Sequence, residues 1–504
     1  MDSDFQRLAE DEAAIDMQPE TAPSETSTKW HQQIVFRLLI VAVVGGIFMT
    51  AGVAVAGGMS SQSDPLMERL GDTGKDPRNV IFFVSDGYGP SSHTMTRLGL
   101  GWAAEDPQYE TALDSILVGK SKTFSSDSLV TDSAAGAVAF SCALKTYNGA
   151  IGVDREAKWC PTVLEAAKIK GLRTGLVATS RITHATPGAF AAHVRVRDEE
   201  DKIAEHELAI SPDIMLGGGL RHFSPELRRD GKDLLAEATE KGYTFVDNKD
   251  DMHAQTELPI LGLFANSHMQ YDLDRRGIDE FREKEPSLAE MAMFAIERLD
   301  EAARKDGKDG GFFIMIEGSR IDHAAHANEP VAHFWDAVAF DETIRQVVDW
   351  AKRRGDTLVM STSDHETGGF SIGRDKVGHP KNYWFNPESL YDYVRSPSWM
   401  ADQFAADRTL DIAQLYKSNT RSGRVLDDDL VQQLNDLPND ASSYDITPIL
   451  AQQAGRDLNV GWTTGGHSGV DVNLYAYGPR AAEVVSVRQN TDVGTCTAYE
   501  NLML

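Results

Sequence analysis

Short apolar runs alternate with longer amphipathic stretches along the chain from residue 79 onward. Short apolar runs are typical of buried strands, and apolar positions at helical spacing predict the helices between them. Their alternation is typical of βα units around a parallel sheet. We therefore predict an α/β fold with a largely parallel central sheet and helices on both faces. The strands are expected near 79–85, 171–180, 312–316, 357–361 and 472–477, and the clearest helices near 161–171, 287–305 and 331–353.

The pattern weakens in two places. Residues 370–462 are rich in Pro, Asp and Asn, with only short apolar elements, and we interpret them as an insertion or cap on the same domain. Residues 198–264 are interpreted as a smaller insertion. The main domain is then predicted over 79–504.

The N-terminal part contains an uncharged apolar stretch over 38–59, long enough to span roughly 30 Å of hydrocarbon as a helix. We predict a transmembrane signal anchor over 34–59. The acidic segment 1–33 before it is expected to be disordered, because it has few hydrophobic residues, and 60–78 reads as a polar linker.

A cleaved signal peptide is the alternative for this stretch, because residues 54–56 (Ala-Val-Ala) resemble a small-residue cleavage site. The long acidic segment ahead of it is unlike a signal peptide and favours an anchor. Basic residues flank the span on both sides, so the positive-inside rule does not decide its orientation.

Composition limits the function classes. A formal net charge of −28 repels polyanions, so nucleic acid is not an expected partner. Three cysteines are too few for a disulfide framework or a cysteine zinc site. Cys142 and Cys160 are close enough in sequence to pair in an oxidising compartment, leaving Cys496 odd, and the sequence leaves that pairing open. Because the cysteines do not suggest a zinc site, any metal must be held by Asp, Glu and His.

Candidate metal ligands follow three predicted strands. Asp86, Glu317 and the segment 364–366 (Asp-His-Glu) each come directly after a buried run. A single aspartate at a strand end is more often a turn former or a helix cap. The carboxyl ends of parallel strands, however, meet at one crevice, so three such ends together favour a shared site.

Further nitrogen and oxygen donors lie in two other segments. Asp322 and His326 are four residues apart and share one face of a helical turn, which suits two ligands of one metal. His467 lies in a glycine-rich segment, Gly-Gly-His-Ser-Gly. With the strand-end residues, these donors are sufficient for two zinc ions. His323, taken alone, is equally consistent with a surface histidine.

Ser133 is a candidate nucleophile in the segment Thr-Asp-Ser-Ala-Ala-Gly-Ala-Val-Ala. The small residues after it permit a helix whose free N–H groups and dipole face the serine oxygen, which favours an alkoxide and a bound phosphate. The alternative is that Ser133 or Asp132 only caps that helix. No histidine base is close in sequence, but a zinc ion can deprotonate a hydroxyl directly.

These segments, in this order over roughly 79–477, resemble the alkaline phosphatase family. The matching motifs are Asp86-Gly87, Thr131-Asp132-Ser133-Ala134-Ala135, His184-Ala185-Thr186-Pro187, Glu317-Gly318 with Asp322 and His326, Asp364-His365-Glu366-Thr367-Gly368-Gly369, and Gly465-Gly466-His467. The N-terminal tail and anchor are similar to the fungal vacuolar branch of that family.

The resemblance implies two zinc ions and one magnesium ion per chain. It assigns the first zinc to Asp322, His326 and His467. It assigns the second zinc, beside Ser133, to Asp86, Asp364 and His365. It assigns the magnesium to Asp86, Glu317 and Thr186.

The resemblance also assigns residues around the metals. Arg197 would clamp two phosphate oxygens, with Arg195 as the competing candidate. Thr183 precedes His184 and does not occupy the motif's threonine position, so the magnesium is assigned to Thr186. Asp132, His184 and His323 would lie next to the ligands. Some bacterial members carry Asp and Lys where this chain has His184 and His323, so zinc is expected to compete for the third site.

The implied activity is the hydrolysis of varied phosphomonoesters through a covalent phosphoserine on Ser133. The implied setting is a homodimer with a cytoplasmic N-terminus and a lumenal catalytic domain at the vacuolar membrane. The alternatives are a phosphodiesterase, sulfatase or phosphomutase with the same two-metal core, or a catalytically silent zinc-binding ectodomain.

Overall fold

The computed structural model describes residues 65–307, 310–375 and 383–495. A ten-stranded sheet forms its centre. Its strands are β1 (Asn79–Val84), β2 (Leu117–Lys122), β3 (Arg173–Arg181), β4 (Ile214–Gly218), β5 (Thr244–Val246), β6 (Ile260–Leu263), β7 (Phe312–Glu317), β8 (Thr357–Thr362), β13 (Val472–Tyr477) and β14 (Ser486–Gln489). Across the sheet they lie in the order β14-β2-β13-β8-β1-β7-β3-β4-β6-β5. Four two-residue strands pair outside it: β9 (Glu366–Thr367) with β12 (His467–Ser468), and β10 (Ser371–Ile372) with β11 (Val460–Gly461).

Nearly all pairings in the large sheet are parallel. Only β13 runs against its neighbours, β2 and β8. Parallel sheets need crossover connections and are covered on both faces. The prediction of a largely parallel α/β sheet is confirmed.

The helices cover both faces of the sheet. They are α1 (Pro65–Arg69), α2 (Pro90–Ala103), α3 (Ala112–Ser115), α4 (Ser133–Ser141), α5 (Val163–Ile169), α6 (Ala185–Ala191), α7 (Glu200–Ile210), α8 (Leu234–Glu240), α9 (Lys249–Ala254), α10 (Asp272–Gly277), α11 (Asp279–Lys284), α12 (Leu288–Lys305), α13 (Arg320–His326), α14 (Pro330–Arg354), α15 (Glu388–Asp392), α16 (Pro397–Ala406), α17 (Ile412–Ser418), α18 (Asp428–Asp436), α19 (Ser443–Leu458) and α20 (Asn490–Thr495).

The two long helices begin and end where the sequence signals them. Ser287 and Glu290 form a capping box at the start of α12, each side chain accepting from the other residue's backbone N–H. Gly355 ends α14 in the left-handed conformation with a φ of 70°. Both predicted helices are therefore found within a residue or two of their expected bounds.

Strand β1 shows why the core has two layers. Val80, Phe82 and Val84 belong to one buried cluster, and Ile81 and Phe83 belong to another on the opposite face. All six residues of the strand are buried. A strand that is apolar at every position must lie between two layers of helices, as predicted from its sequence.

Helices α15 to α19 contain a hydrophobic cluster of their own, which includes Phe404, Tyr416 and Leu450 and contacts Phe334 of α14. They fall within the predicted insertion 370–462, whose limits stay a prediction.

The interpretation of 198–264 as a smaller insertion is wrong. This segment supplies β4, β5 and β6, which pair in parallel and extend the central sheet beyond β3. Their short apolar runs looked like isolated elements because only the neighbouring strand identifies them as part of the sheet.

Cys142 and Cys160 form a disulfide with a Cα–Cα distance of 6.0 Å. It joins the end of α4 to the segment before α5, and closing a loop of this length is worth roughly 3 kcal/mol. Cys496, the tail 1–33 and the anchor 34–59 lie outside the described residues. Among the described residues, no helix is both long enough and apolar enough to cross a membrane.

Candidate active site

Helix α4 presents Ser133 at its first turn. Asp132 is the N-cap, and its carboxylate accepts a hydrogen bond from the N–H of Ala135 over 2.9 Å. The Ser133 hydroxyl is therefore not used as the cap. It is 1% exposed, and its Oγ lies 3.1 Å from Nε2 of His365.

The small residues of α4 allow this approach. A Cβ added to Gly136 would lie 2.8 Å from Cβ of Asp364, closer than real Cβ atoms come. The run of small side chains after Ser133 therefore lets the helix pack directly against the end of β8.

The predicted strand-end carboxylates lie together. Strands β8, β1 and β7 are adjacent, and Val84 of β1 pairs with both Glu317 and Thr362. Glu317 lies at this level, and Asp86, Asp364 and His365 follow closely after Val84 and Thr362; all four residues are fully buried. They share the crevice that the parallel order of the strands predicts.

Gly87 brings helix α13 to the same crevice. Its φ of +72° favours glycine, and a Cβ here would lie 2.8 Å from Cα, Cβ and Oδ1 of Asp322. The absence of a side chain at Gly87 therefore sets how closely Asp322 approaches the end of β1.

Three groups of donor atoms are close enough to hold cations, with the atoms of each group within 4.8 Å of one another. These groups are Asp322, His365 and His467; Asp86, Asp364 and His365; and Asp86, His184 and Glu317. His326 borders the first group, with its Nε2 3.3 Å from Oδ2 of Asp322 and 3.1 Å from Nε2 of His467. Thr186 is fully buried and lies near Glu317.

Three imidazoles direct their Nε2 atoms into the crevice, because each Nδ1 atom has an oxygen partner elsewhere. Nδ1 of His326 lies 2.6 Å from the carbonyl oxygen of Gly465, and Nδ1 of His467 lies 2.8 Å from that of Thr131. A carbonyl only accepts, so both Nδ1 atoms carry a proton, and in the neutral imidazole the lone pair is on Nε2. The Nδ1 atom of His365 likewise has an oxygen partner, a threonine hydroxyl, and its Nε2 faces Ser133. Histidines held in this way are typical metal ligands.

Several buried polar atoms of the crevice form no hydrogen bond with any described residue. They are both carboxylate oxygens of Asp86, Oδ2 of Asp364, Oε1 of Glu317, Oγ1 of Thr186 and Nδ1 of His184. Leaving such a group unpaired costs about 1–3 kcal/mol, and more when it is charged. Oxygen and imidazole donors are the ligands of zinc, and oxygen donors those of magnesium, so the residues fit divalent cations.

The electrostatics of the carboxylates agree with that fit. Burial, together with the nearby Asp364 carboxylate, raises the pKa of Asp86 well above its usual range. Burial raises the pKa of Asp364 to about 8 and that of Glu317 to about 7. A bound cation is the partner that would keep such carboxylates ionised at neutral pH.

Asp322 behaves differently because it has imidazole neighbours. Although burial opposes it, the adjacent His326 holds the pKa of Asp322 well below its usual range. Burial lowers the pKa of His326, but the Asp322 carboxylate outweighs this effect and raises that pKa to about 9. The imidazole of His326 is 38% exposed, so this end of the crevice faces solvent.

Arg197 lies at the crevice and Arg195 does not. The Arg197 guanidinium donates to Oδ2 of Asp132 over 3.1 Å and lies 3.2 Å from Nε2 of His184. The Arg195 side chain is exposed to solvent. Asp132 therefore both caps the helix of Ser133 and holds the guanidinium beside it.

Thr183 is engaged elsewhere. Its hydroxyl donates to Oε2 of Glu200 over 2.7 Å, and Glu200 in turn pairs with Arg181. The structure thus places Thr186, and not Thr183, next to Glu317.

His268 is a neighbour of the crevice that the sequence did not reveal. Its ring packs against His323 at 4.2 Å and His184 at 5.4 Å between centroids, and Arg181 donates to it. Burial, with several positive neighbours, holds the pKa of His184, His268 and His323 well below the usual histidine range. His268 follows β6, so its position at a strand end was the available signal, but β6 itself was not predicted.

Comparison with known proteins agrees with this geometry. The sequence profile of the alkaline phosphatase family matches residues 77–502. The repressible alkaline phosphatase of Saccharomyces cerevisiae is 39% identical over 466 residues, covering 83% of this chain and 80% of that protein.

Two solved structures share the fold. The cold-active alkaline phosphatase of a psychrophilic Shewanella species has a TM-score of 0.73 and 28% identity, covering 84% of this chain and 99% of that one. A mutant alkaline phosphatase from the Antarctic bacterium TAB5, with magnesium in its M3 site, has a TM-score of 0.60 and 28% identity, covering 85% of this chain and 98% of that one. The chain therefore belongs to the alkaline phosphatase family and is an alkaline phosphatase.

Proposed function

We propose that the enzyme hydrolyses varied phosphomonoesters through a covalent phosphoserine on Ser133, at a site for two zinc ions and one magnesium ion. One observation carries the proposal. The buried Ser133 hydroxyl begins a helix and lies 3.1 Å from His365, a member of two of the three donor groups. A silent zinc-binding scaffold has no chemical need for a serine in that position.

The donor groups support an assignment of the cations. The first zinc would be held by Asp322, His326 and His467. The second zinc would be held by Asp86, Asp364 and His365. The magnesium would be held by Asp86, Glu317 and Thr186. The placement of His184 in the third donor group supports the proposal that zinc competes there with magnesium.

Charge explains why cations are needed. The crevice gathers four carboxylates, those of Asp86, Glu317, Asp322 and Asp364, and Arg197 is the clamp proposed for the phosphate. A phosphate ester carries negative charge and would be repelled by that set at short range. When bound, the cations would neutralise the carboxylates, stabilise charge on the phosphoryl oxygens and acidify a hydroxyl or water.

The residues of the chain then perform two displacements. Ser133 Oγ attacks phosphorus, the bond to the alcohol breaks, and the alcohol leaves with the proton that the serine hydroxyl loses. The N–H groups at the start of α4 and the Arg197 guanidinium stabilise the transferring phosphoryl group. Water then cleaves the phosphoserine, which returns Ser133 and releases inorganic phosphate.

The covalent intermediate is directly testable. We expect acid-quenched enzyme, mixed with a 32P-labelled phosphomonoester, to carry label on the peptide that contains Ser133. Phosphoserine is stable in acid, so mass spectrometry of the digested protein locates it. Rapid quenching that finds product phosphate but no protein-bound label at any time would instead indicate direct attack by water.

Replacing Arg197 tests the phosphate clamp. We expect Arg197→Ala to lower kcat/KM by about 10- to 100-fold, mainly through KM, because charge-assisted hydrogen bonds to charged groups are worth about 1.5–3 kcal/mol. Arg195→Ala, a nearby exposed arginine, is the matched control and should change kcat/KM by less than about 2-fold. Steady-state kinetics in which the Arg195 variant is the weaker enzyme would reverse the assignment.

We further propose that 34–59 anchors the enzyme in a membrane, with a cytoplasmic N-terminus and a lumenal catalytic domain. The uncharged apolar sequence supports the anchor, and the Cys142–Cys160 disulfide supports an oxidising compartment for the catalytic part. The vacuolar membrane as the destination, and a homodimer as the assembly, rest on the family resemblance. Protease digestion of the catalytic part in intact vesicles would refute the orientation, and a monomer mass by sedimentation would refute the dimer.

A further inference from the structure

The hydroxyl of Thr367 lies between the residues proposed to hold the two zinc ions. It is 2.5 Å from Oδ1 of Asp322, to which it donates, and 3.1 Å from Nδ1 of His365. Thr367 is fully buried. One side chain therefore contacts a proposed ligand of each zinc.

These two contacts fix the direction of the hydrogen bonds. A hydroxyl has a single proton, and the Asp322 carboxylate can only accept it when ionised. The contact with His365 must then be donated by Nδ1, which leaves a lone pair on Nε2. That Nε2 lies 3.5 Å from Oδ1 of Asp86 and 3.3 Å from Oδ2 of Asp364, the other residues of its donor group.

The backbone of Thr367 is held from two sides. Its N–H donates to the carbonyl of Gly87 over 3.2 Å, and Thr367 pairs with His467 where β9 meets β12. Its hydroxyl is thus kept in register with the end of β1 and with the third proposed ligand of the first zinc.

We propose that Thr367 is a positioning residue, which selects the His365 tautomer and orients Asp322 so that both zinc sites form in register. This inference rests on the proposed zinc sites. His326 and His467 have backbone carbonyls as their Nδ1 partners, so among the three histidines only His365 depends on a side chain. Removing such an outer partner typically costs 10- to 100-fold in metal affinity.

The test compares two variants, one that lacks the hydroxyl and one that keeps it. In Thr367→Val the shape is kept and the hydrogen bonds are lost, whereas Thr367→Ser restores the hydroxyl. Zinc per chain is measured across chelator-buffered free zinc concentrations, without any assay of turnover. We expect half-occupancy to need about 10- to 100-fold more zinc in the valine variant and to stay within about 3-fold of wild type in the serine variant.

A matched control separates positioning from general stability. Thr362 is also fully buried, and its hydroxyl donates to the backbone carbonyl of Asn473 over 3.0 Å. Thr362→Val should leave the zinc titration unchanged. Equal weakening in both valine variants, or no weakening in Thr367→Val, would overturn the proposal.

Other outcomes separate a failure of the Thr367 proposal from a failure of the proposed metal sites. If metal-free Thr367→Val unfolds where the metal-free wild type stays folded, the hydroxyl has a structural role and the proposal fails. If the wild type binds no zinc at any concentration, the proposed metal sites themselves fail. Normal binding by the wild type with an unchanged valine variant refutes only the role of Thr367.

Discussion

Replacing Ser133 with alanine is expected to lower kcat by at least about 10⁴-fold, because the loss of a nucleophile removes the whole covalent pathway. Ser133 is 1% exposed, and its hydroxyl faces the donor group of His365. Initial rates of p-nitrophenyl phosphate hydrolysis at alkaline pH measure the effect.

Ser141 offers the control on the same helix. Its hydroxyl is buried at the far end of α4 and donates to the carbonyl of Ala189 over 2.7 Å. Ser141→Ala is expected to keep kcat within a few-fold of wild type, and Ser133→Ala should retain the zinc content of wild type. Retention of more than about 1% of the wild-type kcat in Ser133→Ala would exclude a serine nucleophile.

Removing the metals is expected to reduce activity at least about 10³-fold, and adding zinc with magnesium should restore it. Without cations, the carboxylates of Asp86, Asp364 and Glu317 are buried close together. Burial is the main cause of their raised pKa values, and neighbouring carboxylates add to the shifts of Asp86 and Asp364. A substrate phosphate then meets a site that favours neutral or cationic groups.

The same removal should lower stability. A ligand at about 1,000 times its Kd stabilises a folded protein by about 4 kcal/mol, so the melting temperature should fall on chelation. Chelator already saturated with zinc is the control, and metal analysis must confirm that the sites are empty. Full activity in protein shown to be metal-free would contradict the proposed chemistry.

The sequence was sufficient to predict the elements that carry the strand-end ligands. Strands β1 and β7 are apolar at nearly every position and β8 has an apolar centre, which is typical of strands buried on both faces. Polar residues directly after such strands must lie at the edge of the sheet. The convergence of Asp86, Glu317 and Asp364 therefore followed from the pattern together with the parallel order.

Choices between near neighbours did not follow from the local pattern of the sequence. Thr183 and Thr186, like Arg195 and Arg197, differ by two or three positions, and the direction of a side chain after a strand depends on tertiary contacts. Thr183 is held by Glu200, and Arg197 is held by Asp132. Neither partner is identifiable from the local sequence, which is why the family resemblance was needed for both.

The error over 198–264 has a related cause. Strands β5 and β6 have three and four residues, too few for their periodicity to separate them from loops. Because β6 was not predicted, His268 beyond its end was missed as well.

The order of the strands has a consequence for the way the enzyme matures. Strand β1 pairs with β7 and β8, and Ser133 meets a residue 232 positions away, so contacts that are distant in the chain must form before the site exists. Folds dominated by such contacts form slowly. The proposed zinc ligands stay apart in a growing or unfolded chain, and His467 is the last to arrive. We therefore expect the capture of metal, and with it the onset of activity, to be a late event in folding, and a chain that ends before His467 to lack phosphatase activity.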